Sequence, residues 1–362
     1  MAPARTLKVG IVGCGEVTRF KHLLVTRDLP GIEMVALADR DDNQLRTVGE
    51  MFGIAHRYRD IAAMLEHPGL DAIAVCVPAH SHTEVALAVM EAGKHLLVEK
   101  PLCLSLDDAD RMRECAAKTN ARTMVGHHMR WHRLIRKGRD ALRKGALGKV
   151  ESIRTVWNSP RIIHKNPQWR FRREDGGGVL VEVAVHCFDL WRFMLGSEVA
   201  EVYALSRHGN RDDEAISVSA RMENGMLASA QLSETTPHEI EVDICGDGGR
   251  MRIDCGRFDG FEIIPAGAQP SEPMVRARRI ANFMMELPGG IAGMRSGSDY
   301  MASYKAEWMH FRDTINTNSD VGCTFDDGRR SLEVVLAAAQ SANSGMPVRI
   351  NDAPRQLVPA KR

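Results

Sequence analysis

The chain has 362 residues, too long for one ordinary hydrophobic core, so two domains are expected. Its hydrophobic (44%) and charged (26%) fractions are those of a folded globular protein and exclude a disordered or fibrous class. Lys and Arg (48) balance Asp and Glu (47), which leaves no field to attract nucleic acid or an anionic membrane, so neither is expected as a partner.

The opening residues MAPARTLKVG contain no apolar h-region, and no window approaches the ~20 apolar residues of a membrane span; a cytoplasmic protein is expected. The first ~125 residues alternate β-rich runs with helical patterns, the signature of a doubly wound parallel sheet. LKVGIVG (7–13), EMVALAD (33–39), LDAIAVCVP (70–78) and KHLLVEKP (94–101) read as strands buried on both faces. A helix runs through Leu45, Val48 and Met51 to Gly53. Another presents Val85, Ala88, Val89 and Ala92 and stops at Gly93. A helix over 106–119 precedes RTMVGHH (122–128), the expected sixth strand.

Beyond residue 125 the rhythm changes. VESIRTVW (150–157), EVYALSRH (201–208), AISVSARM (215–222) and MLASAQLS (226–233) read as strands, the last two joined by Asn224-Gly225, a type I′ hairpin signal. IEVDICG (240–246) and RMRIDCG (250–256) flank a second hairpin at Asp247-Gly248-Gly249. This half is therefore an α+β domain with a large, mainly antiparallel sheet. Prolines and paired glycines make residues 268–299 read as an irregular arm, with Val275, Ile280, Phe283 and Met284 in need of cover. Helices around 301–316 and 329–343 close the chain, the second capped by Asp326 or Asp327 and stopped by Gly345.

The chemistry starts at Gly13-Cys14-Gly15, where the first strand meets the first helix. Gly13 permits the tight turn, and Gly15 lets a pyrophosphate approach the backbone beside the helix N-terminus. Glu16 and Val17 follow in that turn. The third small position of the fingerprint is Thr18 instead of Gly or Ala. Asp39 ends the second strand, placed to accept from a ribose 2′-hydroxyl. Together these mark a dinucleotide-binding Rossmann domain over residues 1–125, followed by the α+β domain over 126–362. Arg40 would pair with the 2′-phosphate of NADP, whereas Asp39 would repel it, so NAD is favoured and NADP stays open. The eight cysteines show neither a C-x-x-C pair nor a disulfide spacing, which points to reduced thiols. Cys187 follows His186, but two adjacent residues cannot supply a tetrahedral site, and no metal is expected.

With VGIVGCGEV, VEKP (98–101) and GGGVLVEVAVHCFDL (176–190), the sequence resembles the Gfo/Idh/MocA family, named for glucose–fructose oxidoreductase and inositol dehydrogenase. RKGALGKVESI (143–153), CGDGGRMRID (245–254) and the segment 325–350 extend the likeness over nearly the whole chain. The resemblance implies a Rossmann domain and activity on sugars, inositols and related alcohols. It also implies that the second domain, 126–362, has an open sheet, binds substrate and carries oligomerisation as homodimers or homotetramers. It makes Lys100 the catalytic lysine and implies a cis peptide at Pro101. Lys100 lies just past the C-terminal end of a buried parallel strand, where α/β active sites form. The family's Asp and His, four residues apart, fall on Glu182 and His186, with Glu in place of Asp. The alternating valines 179, 181, 183 and 185 suggest a strand here, whereas the family implies a helix; residues four apart share a face in either.

For oxidation, His186 would take a proton from a substrate hydroxyl, its ordinary pKa of about 6.5 being suited to the task. Lys100 would stabilise the developing negative charge, and Glu182 would orient His186 or grip a neighbouring hydroxyl. Val77, Pro78, His82, Glu99 and the Trp169-Arg170 pair complete the expected cofactor contacts, and His128, Asn158 and His164 the substrate contacts. His127, Arg130, His132 and Asn166 are further lining candidates. Two other classes stay open. One is a sugar lyase or glycosidase that oxidises and re-reduces with retained NAD, suggested by the altered Glu182. The other is a non-catalytic NAD-binding regulator, against which both Lys100 and His186 argue.

Overall fold

The computed structural model describes residues 5–160, 167–268 and 272–361, which divide into two compact units. The first comprises Met1–His128 and Tyr304–Leu332. Its six-stranded sheet is built from β1 (Leu7–Val12), β2 (Ile32–Ala38), β3 (His56–Tyr58), β4 (Ala72–Val75), β5 (His95–Glu99) and β6 (Thr123–Gly126), in the order β3-β2-β1-β4-β5-β6. Every pairing is parallel. Val9, Ile11, the whole of β4 and Leu96–Val98 are shut off from solvent, which is why these runs are continuously apolar. The short, polar β3 at the sheet edge carries no such run and escapes a reading based on hydrophobicity.

Helices α1 (Leu23–Thr26), α2 (Asp42–Phe52), α3 (Ile61–Leu65), α4 (His82–Glu91) and α5 (Leu106–Ala117) link the strands. Local chemistry sets their ends. Asp41 accepts from the backbone N–H groups of Asn43 and Gln44 to start α2, and Ser105 accepts from Asp108 N to start α5. Gly53 and Gly93 take positive φ just past α2 and α4, as expected. Two faces differ from expectation. Met51 stands in solvent, and α4 buries Ala86, Val89 and Met90 with His82 and Thr83, a stripe rotated from the one through Val85 and Ala88.

The second unit comprises Met129–Ser303 and Glu333–Arg362. After α6 (Arg133–Arg143) comes β7 (Val150–Asn158), then α7 (Val185–Leu195), then β8 (Val199–Arg207), β9 (Ala215–Met222), β10 (Leu227–Ser233), β11 (Glu239–Gly246), β12 (Gly249–Asp254) and β13 (Phe261–Pro265). With β14 (Val348–Arg349) these form one eight-stranded sheet, ordered β13-β12-β11-β7-β10-β9-β8-β14. Only β7 and β10 run parallel. Alternate residues such as Ile153, Thr155 and Trp157 on β7 and Ile216, Val218 and Ala220 on β9 are buried, giving the sheet one core face.

Four expectations need correction here. The β9–β10 hairpin forms at Asn224-Gly225, but only Gly225 takes positive φ, so the turn is not the type I′ form, which needs both. The alternating valines are helical: a π-helical turn, Leu180–Ala184, runs directly into α7. The supposed irregular arm contains helix α8 (Pro273–Ser296); Pro273 sits at the first position, where a missing N–H costs nothing, and strong helix formers follow. Of its four flagged apolar residues only Val275 is buried; Ile280, Phe283 and Met284 stay exposed. The last two helices are α9 (Ser298–Thr317) and α10 (Phe325–Ser344). α10 is capped by Thr324, whose hydroxyl accepts from Asp327 N while the Asp327 carboxylate accepts from Thr324 N. Asp327 is thus the partner of the cap three residues on, in the first turn, and Gly345 stops the helix at positive φ as expected.

Candidate functional site

In the first unit, Gly13 leaves β1 with φ of 98°, and a Cβ there would lie 2.4 Å from the carbonyl oxygen of Cys76. No other residue fits this turn. Gly15 faces open space, with nothing within 4 Å of where a Cβ would stand. Thr18, the departure from the fingerprint, is fully buried and donates its hydroxyl to Gly13 O at 2.6 Å, bracing the turn. The helix widens into a π-helical turn at this point, Thr18–His22. The Asp39 carboxylate reaches the same loop: Cys14 N donates to one oxygen at 2.6 Å and Asp41 N to the other at 2.8 Å. The Cys14 thiol is pushed up to about 12, first by burial and then by Asp39, so it stays protonated and contributes only its backbone. Arg40 beside it is exposed. An open glycine backbone, a helix N-terminus and an aspartate at the end of the adjacent strand fit a dinucleotide.

Lys100 leaves β5 at the C-terminal edge of the same sheet, two strands from the glycine turn, through a cis bond to Pro101. His82 is buried, with Nδ1 2.8 Å from Pro101 O and Nε2 2.9 Å from Val77 O, and burial lowers its pKa. It braces the two strand ends that carry Val77-Pro78 and Lys100. Glu99 is buried beside Lys100, and His128 is fully buried with its ring stacked on Tyr304 at 4.0 Å.

In the second unit, Glu182 and His186 lie in the π-turn and the first turn of α7, both almost fully buried. The His186 ring stacks on Trp157 at 4.9 Å and 16°. The Arg170 guanidinium approaches Glu182 to 3.4 Å and lies over the Trp169 ring at 5.1 Å. The triple glycine explains how this loop comes so near: a Cβ on Gly177 would lie 2.4 Å from Arg170 backbone, and one on Gly178 2.7 Å from Asp212 O. Asn158 donates to Glu239 across the β7–β11 pair at 2.9 Å. His164 and Asn166 lie outside the described residues.

Against models of known families, residues 7–127 match the oxidoreductase family with an NAD-binding Rossmann fold, and residues 135–252 match the GFO/IDH/MocA C-terminal domain. A D-apiose dehydrogenase of Paraburkholderia graminis is 30% identical over 368 residues, covering 94% of each chain. The chain belongs to the Gfo/Idh/MocA family. A myo-inositol 2-dehydrogenase of Thermotoga maritima is 25% identical over 96% of this chain and 99% of its own. Among solved structures, the WlbA dehydrogenase of Bordetella pertussis, in complex with NADH and UDP-GlcNAcA, superposes with a TM-score of 0.80 at 20% identity, over 95% of this chain and 98% of its own, which shows the shared fold.

As a member of this family the protein is an oxidoreductase with an NAD-binding Rossmann domain. Several lining candidates have other partners. Arg130 makes a bidentate ion pair with Asp189 at 2.6 and 2.8 Å, both buried. His127 and His132 are buried too, and burial pushes His132 down to about 4. Sequence reasoning missed Trp157, although its inward place in the β7 alternation was a usable signal. It also missed His22 and Trp308, which meet only in the folded chain. Among the described residues, no helix is long and apolar enough to cross a membrane, and no group of three or more His, Cys, Asp or Glu could hold a metal ion.

Proposed function

We propose that this protein is an NAD-dependent dehydrogenase acting on a CH–OH group of a sugar, cyclitol, amino sugar or related polyhydroxylated molecule. The observation that carries the reading is Lys100 at the C-terminal edge of the sheet whose glycine turn and Asp39 suit a dinucleotide. The relatives above are named for D-apiose and myo-inositol, which supports a polyhydroxylated substrate. Bound nicotinamide would supply the hydride acceptor. Lys100 would donate to the reacting oxygen as negative charge develops there. His186, its ring oriented by Trp157, would remove the hydroxyl proton, and Glu182, partnered by Arg170, would hold His186 or a second substrate hydroxyl. Asp39 favours NAD over NADP, residues 126–362 carry substrate binding and self-association as a homodimer or homotetramer, and the protein acts in the cytoplasm.

A panel of sugars, inositols and amino sugars, run with NAD and with NADP while following absorbance at 340 nm, tests this. Net reduced cofactor with at least one polyol is the expected result. Glu182 standing where the family has Asp favours a second reading, a lyase or glycosidase that retains its NAD. Turnover without added NAD or net reduction would establish that reading, and cofactor binding without any turnover would leave a regulator.

A further inference from the structure

Glu99 closes β5 with its carboxyl buried, and its two oxygens have different partners. Oε2 accepts from the backbone N–H of Lys100 at 3.2 Å, and Oε1 lies 2.9 Å from Nε2 of His22. His22 is fully buried, enclosed edge-on by Tyr304 and Trp308 with ring centroids 5.5 and 5.8 Å away. The Trp308 indole N–H donates to His22 Nδ1 at 3.0 Å. An indole nitrogen can only donate, so Nδ1 must be bare, and the single ring proton sits on Nε2, aimed at Glu99. Burial opposes a charge on the ring, and Cys76 and Glu99 outweigh it and draw the His22 pKa well up, but the second proton would have to occupy Nδ1, where the indole N–H already donates. The pair is a neutral imidazole donating to a carboxylate.

The other groups facing Glu99 agree with this. Burial alone would raise its carboxyl, yet the His22 hydrogen bond, the charge that ring bears when protonated, and then the charges of Lys100 and His82 hold it below the usual carboxylate range. Glu307, next to Trp308, is completely buried, and neither of its oxygens meets a hydrogen-bond partner among the described residues. Burial, then the charge of Glu99, keep it protonated. The Cys76 thiol also touches His22. Of two neighbouring buried carboxyls, one is ionised and one neutral, as like charges at close range require.

We propose that Trp308, His22 and Glu99 are positioning residues for Lys100: the indole fixes the His22 tautomer, His22 keeps Glu99 ionised, and Glu99 grips the Lys100 backbone while its charge keeps the lysine ammonium protonated. This rests on the reading of Lys100 as the lysine that acts on substrate. A dehydrogenase needs that ammonium to carry its proton throughout the reaction, because only the charged form stabilises a developing alkoxide.

The test needs no substrate. Lysines are 13C-methylated reductively, the Lys100 signal is assigned by its loss in Lys100→Arg, and its titration is followed by NMR. In Glu99→Gln the Lys100 titration should move down by about 1 pH unit or more, the scale of losing one adjacent opposite charge. In His22→Asn it should move the same way, because an unsupported Glu99 takes up a proton, and the double variant should move no further than Glu99→Gln alone. An unmoved titration in folded Glu99→Gln overturns the proposal. Nitrogen NMR of His22 in the unmodified protein should show the neutral Nε2–H tautomer from about pH 6 to 8, where an ordinary histidine titrates. An imidazolium signal also overturns it, whether or not the variants fold. A substrate screen that finds no turnover would defeat the dehydrogenase reading and leave these titrations standing. With a substrate in hand, Glu99→Gln should shift the basic limb of the kcat profile downward, which a purely structural defect would not do.

Discussion

Arg173 and Asp213 face one another as a bidentate ion pair, 2.6 and 2.5 Å across its two bonds, with neither side chain exposed to solvent. Asp213 occupies the left-handed region at φ of 48°, a conformation rare for a residue with a side chain. Around it the backbone is stitched to both segments that carry candidate site residues. Asp212 N donates to Phe171 O at 2.9 Å, and Val179 N donates to Asp213 O at 3.0 Å. The pair thereby fixes the loop bearing Trp169-Arg170 against the start of the helical run bearing Glu182 and His186.

Removing one partner would strand the other charge in the core. Asp213→Asn, which keeps the backbone geometry accessible, should lower unfolding stability by about 3–5 kcal/mol, the range for breaking a buried pair. Urea denaturation measures it. Arg173→Met combined with Asp213→Asn should recover part of the loss, because no unpaired charge then remains. A loss below about 1 kcal/mol in the single variant would show that solvent reaches the pair.

Lys100→Met should separate chemistry from cofactor binding. NAD affinity, read by fluorescence titration, should stay within a few-fold, while turnover of the best polyol should fall by ~10²-fold or more, the scale of losing one oxyanion donor. Turnover persisting near the original rate would remove Lys100 from the mechanism.

Cofactor preference tests the role of Asp39. Asp39→Ala abolishes the carboxylate that would repel a 2′-phosphate and leaves exposed Arg40 to meet it, so the NAD-to-NADP affinity ratio should move toward NADP. Because Asp39 also accepts from Cys14 N and Asp41 N, NAD binding should weaken as well. Stronger NADP than NAD binding before mutation would contradict the assignment.

Glu307 should make stability depend on pH. It is held protonated in the fold, well above its unfolded value. Below the ordinary carboxylate pKa of about 4.3, folded and unfolded chains both carry this proton and there is no penalty. As pH rises above that value, the unfolded chain releases the proton and the folded one does not. Stability then falls by up to ~1.4 kcal/mol per pH unit until the folded pKa is passed. Glu307→Gln carries no such proton. Its stability relative to the parent should therefore be larger at pH 7 than at pH 5, as read from urea midpoints. A constant difference would mean that Glu307 ionises normally.

Most of the dinucleotide half of this protein was legible in the sequence, apart from the short polar edge strand β3 and the buried face of α4. Strands β1, β4 and β5 announce themselves because they are buried on both faces, and the turn at Gly13 admits nothing but glycine. Asp39, Lys100, Glu182 and His186 could be singled out because motif spacing is local. The 179–185 run resisted assignment for a physical reason: residues 176–191 are buried without exception, so no exposed face betrays a period. Helix α8 was hidden by Pro288 and the glycines after it, which dominate a local reading although ten of the fourteen residues from Met274 to Leu287 are strong helix formers.

What only the tertiary structure decided is which side chains answer one another. Trp308 reaches His22 across 286 residues of chain, and Arg130 reaches Asp189 across 59. Trp157 lies under His186 because a strand and a helix pack together. The sequence determined where backbone turns and which faces are apolar, since those depend on neighbours a few positions away. Which histidines are ligand-facing and which are braced in the core depends on contacts made when distant segments close, and no periodicity in the chain encodes them.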